Sequence, residues 1–315
     1  MTIRLNVILL NYKTPELIVD CLRSIDREDL GDGQVLVVDN ASNDNSVEII
    51  NRAIQEESWG EWVSVIESDV NGGFAAGNNL GIKAGRADGY VLLNSDTLVN
   101  PGLFGELRKA MVQNPDAGVI APAIFDEQGK PDISAFRWPT PWGELLRAAR
   151  LRILDRLFAR HHVIFPLPES GEPIRPDWVG FACVLIRHEV IEKVGLLDDC
   201  YFMYFEDVDY CKRVRFAGWQ VLYWPKARIV HFLGASSGVS GGRSGSRRAP
   251  EYYYRARSRY FRTYYGQKGL FLANFAWSIG AGFGILRSLI TKRETNFRKG
   301  EFLDNWIGFI SCGRS

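Results

Sequence analysis

The chain has 315 residues, 46% of them hydrophobic and 24% charged, with a formal net charge of +1. That composition excludes a disordered, collagen-like or disulfide-stapled protein and fits a soluble enzyme able to bury a real core. The five cysteines, Cys21, Cys183, Cys200, Cys211 and Cys312, are scattered and free of CxxC spacing, so neither a disulfide framework nor a thiolate zinc site is expected, and a reducing cytosol fits.

In chain order, Leu5–Asn11, Val35–Asp39, Val63–Ser68, Tyr90–Asn94 and Val119–Phe125 read as buried strands. Residues before Leu5 show no export signal, and none is expected. Helices fall between the strands: Pro15–Ile25 behind Thr14 as N-cap, Ser46–Glu57 after an Asn/Asp-rich turn, and Phe74–Gly85 from a glycine pair. This alternation predicts an α/β fold, a Rossmann-like and mostly parallel sheet with helices on both faces. Ligands of such sheets bind beyond the carboxyl ends of the strands, and the residues there are polar: Asn11-Tyr12, Asp39-Asn40 and Asn94-Ser95-Asp96. After residue 140 the alternation lapses, leaving strands at Trp178–Ile186 and Trp219–Trp224, a short one at Ile229–His231, and a helix from Glu206 to Ala217.

Each rim residue has two readings. Asp39 either meets a ribose or base edge or caps the next helix. The stretch Asn71-Gly72-Gly73-Phe74, running on to Asn78, is either a tight turn or a helix entrance whose N–H groups attract a diphosphate. Asn94 and Asp96, two residues apart on one side of a pleat, offer oxygen to a hard cation such as Mn²⁺ or Mg²⁺, unless Asp96 only caps a helix. Glu206-Asp207-Val208-Asp209 sets three carboxylates in four residues, where crowding raises pKa values and suits a general base, although acids are also simply favoured at a helix start. His231 is either structural or an imidazole ligand for Mn²⁺.

Residues 243–315 hold fourteen Lys/Arg against four Asp/Glu, a charge of +10 that leaves −9 on the rest. This basic end adjoins the apolar stretch Gly269–Ile290, so an anionic membrane surface is the expected partner and nucleic acid is not. The Gly/Ser-rich run 234–245 has no periodicity and reads as a loop.

Val7–Tyr12, Val37–Ser42, Asn71–Phe74, Leu93–Asp96, Trp178–Ala182 and Glu206–Asp209 occur in an order that resembles family 2 glycosyltransferases, over about residues 3–235. More narrowly the chain is similar to the bacterial rhamnosyltransferase branch, with O-antigen and cell-wall linker enzymes that use dTDP-rhamnose. The resemblance implies a GT-A fold, a divalent metal (Mn²⁺ or Mg²⁺) and inversion by direct displacement, a hexosyltransferase reaction from a dTDP- or UDP-sugar to a glycan or polyprenyl-linked acceptor.

It implies a donor nucleotide site of Asn11, Tyr12, Asp39, Asn71, Gly73, Phe74, Asn78, Asn94 and Ser95, a metal on Asp96 and His231, and Asp207 as base. Glu206, Trp178, Gly180 and Phe181 would face the acceptor, and Arg243, Arg247 and Arg248 would close as a lid. Asn94 stands where the family's Asp-x-Asp motif has its first acid, which leaves one direct carboxylate ligand.

The expected domains are a catalytic unit over 1–235 (nucleotide half about 1–125, acceptor half about 126–235), a flexible loop over 236–250 and a helical C-terminal extension over 251–315. The enzyme is expected in the cytoplasm at the inner face of the cell membrane, and a homodimer is compatible with this. The competing reading is a non-catalytic nucleotide-sugar or carbohydrate-binding module on the same fold.

Overall fold

The computed structural model describes residues 3–149, 163–165, 171–232, 249–291 and 300–310. Two compact units emerge: Met1–Ala135 with Pro166–Phe202 and Glu206–Gly241, and Phe136–Phe165 with Met203–Phe205 and Gly242–Ser315. This division differs from the expected 1–235, 236–250 and 251–315 in that Phe136–Phe165 group with the C-terminal region.

The first unit is built on strands β1 (Leu5–Asn11), β2 (Val35–Asp39), β3 (Val63–Glu67), β4 (Gly89–Asn94), β5 (Thr97–Val99) and β6 (Ala117–Phe125). The two-residue strands β7 (Ala135–Phe136) and β8 (Trp178–Val179) precede β9 (Cys183–Arg187) and β10 (Gln220–His231). Helices α1 (Pro15–Ile25), α2 (Ser46–Glu56), α3 (Gly73–Ala84) and α4 (Leu103–Gln113) lie between the early strands. The second unit adds α5 (Pro141–Ala149), the first regains α6 (His188–Val194) and α7 (Glu206–Phe216), and α8 (Glu251–Thr291) and α9 (Glu301–Asp304) complete the second.

The eight-stranded sheet runs β3-β2-β1-β4-β9-β6-β10-β5. β3, β2, β1 and β4 run parallel to one another, as do β6 and β10, whereas β9 runs antiparallel to β4 and β6, and β5 antiparallel to β10. The near-continuous burial of β1, β2 and β4 is that of strands covered on both faces. Sheet growth reverses direction at β1, with β2 on one side and β4 on the other, and a crevice for ligand opens at such a reversal.

Two strand expectations change. Trp178–Ile186 breaks into β8 and β9, since Gly180 N turns aside to donate to Ser134 O (3.1 Å) while Ala182 O accepts from Asn94 N (2.9 Å). Trp219–Trp224 and Ile229–His231 join into one strand, β10, with a register irregularity between Trp224 and Arg228 that absorbs the intervening residues.

In the second unit α5 packs along α8, and Ala148, Trp277 and Ala281 form a small apolar core. α8 is broken at Gly266, where φ is +67° and ψ −179°, a conformation reserved in practice for glycine. Arg257 is fully buried: its Nε and Nη2 donate to Glu144 Oε2 (3.0 and 2.8 Å), and its Nη1 donates to Asn274 Oδ1 (2.7 Å). Arg147 Nη2 reaches the same carboxylate oxygen at 2.8 Å. Burial alone would raise the Glu144 carboxyl, yet the charges of Arg147 and Arg257 outweigh it and hold the pKa at about 2.

Candidate active site

β1 ends in Asn11, whose side chain turns to its neighbour strand. Asn11 Nδ2 donates to Asp39 Oδ1 (2.6 Å) and to Ser42 Oγ (3.2 Å). Ser42 donates from Oγ to Asp39 Oδ1 (2.6 Å) and from its backbone N to Oδ2 (3.0 Å). Asp39 therefore shapes its own loop rather than capping α2, where Asp44 Oδ1 accepts from Ser46 N instead. Ser42 also accepts from Lys13 N (3.0 Å), and Lys13 and Ala41 hold positive φ values of 59° and 55°. Two non-glycine residues in the left-handed region on one rim mark a loop held to shape by its surroundings. Ser42 escaped the expectations, although an Asp followed three residues later by a Ser is the spacing of a side chain–backbone turn.

Thr14 occupies the N-cap position of α1 as expected, but its hydroxyl does not cap. It points at Ser95 Oγ (3.3 Å) and Asn11 Oδ1 (3.4 Å), tying the end of β1 to the turn after β4. Tyr12 beside it is exposed.

The strand β4 stops at Asn94, so the Ser95-Asp96 turn, rather than the alternation of a pleat, aims Asp96. Asp96 is 1% exposed and β5 follows it directly. Antiparallel pairing of β5 with β10 sets His231 against Thr97, and Phe232 N donates to Asp96 O (2.8 Å). His231 Nε2 consequently lies 3.2 Å from Asp96 Oδ1. A carboxylate oxygen and an imidazole nitrogen meeting in a buried rim turn suit Mn²⁺, and two protein ligands leave room for phosphate oxygens. The donor set fits a divalent cation. Asn94, half-buried, spends its backbone carbonyl on Thr97 Oγ1 (2.5 Å).

At the entrance to α3 the sequence motif behaves differently from an anion cradle. Gly72 N donates to Asn40 Oδ1 (3.2 Å), Gly73 N to Asn71 Oδ1 (3.0 Å) and Phe74 N to Phe202 O (2.7 Å). Asn40 Nδ2 closes the set on Asn71 Oδ1 (2.9 Å) and Gly73 O (3.1 Å). These N–H groups already have protein acceptors, so they offer a diphosphate no open donor. Asn78 is buried and donates to Phe74 O (2.9 Å) within its own helix, so its side chain serves packing.

α7 opens with the three acids, and the structure gives each a different setting. Asp209 pairs with Arg213 Nε (2.8 Å), one helical turn on. Glu206 is buried, and its Oε2 has no hydrogen-bond partner among the described residues. Burial, then the neighbouring charges of Asp207 and Asp209, raises the Glu206 carboxyl well above its ordinary range. Asp207 is half-buried, accepts from Val208 N at 2.7 Å, and is pushed up to about 7 by desolvation. Tyr204 and Phe205 immediately before them both adopt positive φ, 71° and 66°.

Of the acceptor-side expectations, Trp178 and Gly180 are half-buried and remain accessible in part. Phe181 is a correction: it is buried and meets Tyr210 of α7 edge-on at 6.3 Å between ring centroids, a packing role. The 234–245 loop with Arg243, Arg247 and Arg248 lies outside the described residues.

The mostly parallel sheet that reverses at β1 is of the GT-A fold class. Solved structures agree on the fold. The mannosyltransferase PcManGT from Pyrobaculum calidifontis, in complex with GDP-Man and Mn²⁺, superposes with TM-score 0.56 at 15% identity over 92% of this chain and 76% of that one. GalNAc-T7 with UDP, GalNAc and Mn²⁺ gives 0.61 at 14% identity, over 93% and 58%.

The sequence profile described as "Glycosyl transferase family 2" matches residues 6–163, and the chain belongs to that family. Among its relatives is the low-salt glycan biosynthesis hexosyltransferase Agl10 of Haloferax volcanii, 27% identical over 215 residues, 67% of this chain and 61% of that protein. The N-acetylglucosaminyl-diphospho-decaprenol L-rhamnosyltransferase of Mycobacterium tuberculosis is 30% identical over 220 residues, 65% of this chain and 68% of the relative.

Proposed function

We propose that this chain is an inverting, metal-dependent glycosyltransferase that moves a sugar from a nucleotide-diphosphate donor to a hydroxyl of a glycan or polyprenyl-linked acceptor in cell-surface polysaccharide synthesis. dTDP-rhamnose is the first candidate donor, on the likeness to the mycobacterial rhamnosyltransferase, with a UDP-sugar as the alternative. The observation that carries the reading is the buried Asp96–His231 contact of 3.2 Å, placed by the turn after β4 beside the Asn11–Asp39–Ser42 cluster.

In this reading the loop shaped by Asp39 receives the nucleotide, with Tyr12 exposed at its edge. Asp96 and His231 would hold Mn²⁺ or Mg²⁺, which when bound neutralises the departing diphosphate. Asp207 accepts the proton of the acceptor hydroxyl as its oxygen attacks the anomeric carbon. Glu206, buried at the start of α7 beside Asp207, would serve by orienting that carboxylate. Trp178 offers an apolar face on the acceptor side.

The protein is proposed to act in the cytoplasm at the inner face of the membrane. Phe271, Phe275, Ile279, Phe283, Leu286 and Ile290 are exposed along α8 at spacings of three and four, beside the basic C-terminal sequence. Glu251–Ile290 is also long and apolar enough to cross a bilayer by length and composition, and about half of its most apolar window is buried. A surface-lying helix accounts for both facts.

The test is a panel of nucleotide sugars with Mn²⁺, reading slow donor hydrolysis and thermal stabilisation, with Asp207→Asn alongside. Hydrolysis of one donor is expected, lost by roughly 10²-fold or more in the variant while nucleotide binding persists. Stabilisation without turnover by any donor would favour the non-catalytic binding module, and wild-type turnover in Asp207→Asn would remove the base assignment.

A further inference from the structure

Among the described residues, the motif Asn71–Asn79 is a sequence signature that the proposed chemistry does not use. Its N–H groups face protein acceptors, and the acceptor for Phe74 N is the carbonyl of Phe202, far away in sequence. Gly73, at φ +80°, is pressed so close to that carbonyl that a Cβ would sit 1.9 Å from its oxygen. Two turns along α3, Asn79 grips the same distant segment at its other end. Its Nδ2 donates to Leu197 O (2.9 Å) and its Oδ1 accepts from Leu197 N (3.1 Å), both buried.

An asparagine amide that both donates to and accepts from one residue's backbone fixes that residue in orientation as well as distance. Residues 197–202 are therefore held at both ends by α3, and the chain that leaves Phe202 enters α7 at Glu206 and Asp207. At its other side the motif is tied through Asn40, the residue following Asp39, to the proposed nucleotide loop.

We propose that Asn79, Gly73 and Asn40 are positioning residues that set Asp207 from the donor half of the sheet, and that this motif is not a diphosphate cradle. The proposal rests on Asp207 being the base. A catalytic carboxylate displaced by even a fraction of an ångström loses rate without losing donor binding, and this separates the two roles.

The experiment compares wild type with Asn79→Ala, Asn79→Asp and Gly73→Ala in three measurements. These are donor hydrolysis at saturating donor over a range of pH, calorimetric binding of dTDP and of UDP with Mn²⁺, and hydrogen exchange of backbone amides. Asn79→Ala is expected to lower kcat by about ten-fold or more while nucleotide affinity stays within about two-fold. Its exchange should quicken over residues 197–207 and stay unchanged in β2, and the acid limb of its pH profile should move. Asn79→Asp keeps the acceptor for Leu197 N and is expected to fall between. Should Gly73→Ala fail to fold, the two Asn79 variants still decide.

Loss of nucleotide affinity with kcat unchanged would overturn the proposal in favour of the cradle, and unchanged exchange over 197–207 would overturn the clasp itself. Wild-type turnover by Asp207→Asn would remove the base on which the proposal depends, a failure read independently of the Asn79 variants.

Discussion

Glu206, Asp207 and Asp209 stand within four residues of one another, yet their surroundings give them separate chemistry. Asp209 is neutralised by Arg213, Glu206 is shut away from water, and Asp207 keeps enough access to meet a substrate. With its carboxyl pushed up to about 7 by desolvation, Asp207 in the proposed role of base loses activity as pH falls below neutrality. Donor turnover is expected to fall ten-fold per unit on the acid side of pH about 7, and a flat profile from pH 5.5 to 8 would argue against it.

Stability moves the other way. A carboxyl whose folded pKa lies above its unfolded value of about 4 favours the fold at low pH, and that contribution is lost as pH rises through about 7. Asp207→Asn should therefore melt later than wild type at pH 8 and close to it at pH 4. Asp96 makes its own prediction. Chelation should abolish turnover, Mn²⁺ should restore it, and His231→Ala should need roughly ten-fold more metal. Turnover surviving thorough chelation would end the metal assignment.

Elements were legible in the sequence wherever their signal was local. Unbroken apolar runs gave β1, β2 and β4 within a residue at either end, and Pro15 after Thr14 gave the start of α1. Partners were not legible, because they are set by residues distant in the chain. β5 is three residues long and exists through its pairing with β10, and nothing near Phe74 announces Phe202. Nor did the pattern of residues 136–165 reveal that α5 belongs against α8. That pairing hinges on Glu144, which serves two arginines at once. Removing it strands the fully buried Arg257, so Glu144→Ala is expected to cost about 3–5 kcal/mol in urea unfolding at pH 7. A loss below about 1 kcal/mol would show that water or another group satisfies Arg257.

For the molecule as a whole, the basic C-terminal charge and the apolar ridge of α8 predict where it works. Purified protein should co-sediment with vesicles containing anionic lipid at low ionic strength, and added salt should weaken this only in part, since the ridge is insensitive to screening. Phe275→Ser with Phe283→Ser should reduce binding in high salt most. Absence of binding together with a salt-independent dimer would mean that a second copy covers the ridge.

The order of strands also constrains how the molecule is made. β10 lies between β6 and β5, and it carries the histidine that meets Asp96. While the chain emerges from the ribosome, β1 to β4 can pair early, but β5 waits without its sheet neighbour until His231 has been synthesised. Asp96 thus meets His231 late, and a nascent chain can form the Asn11–Asp39–Ser42 cluster before it completes the proposed cation site.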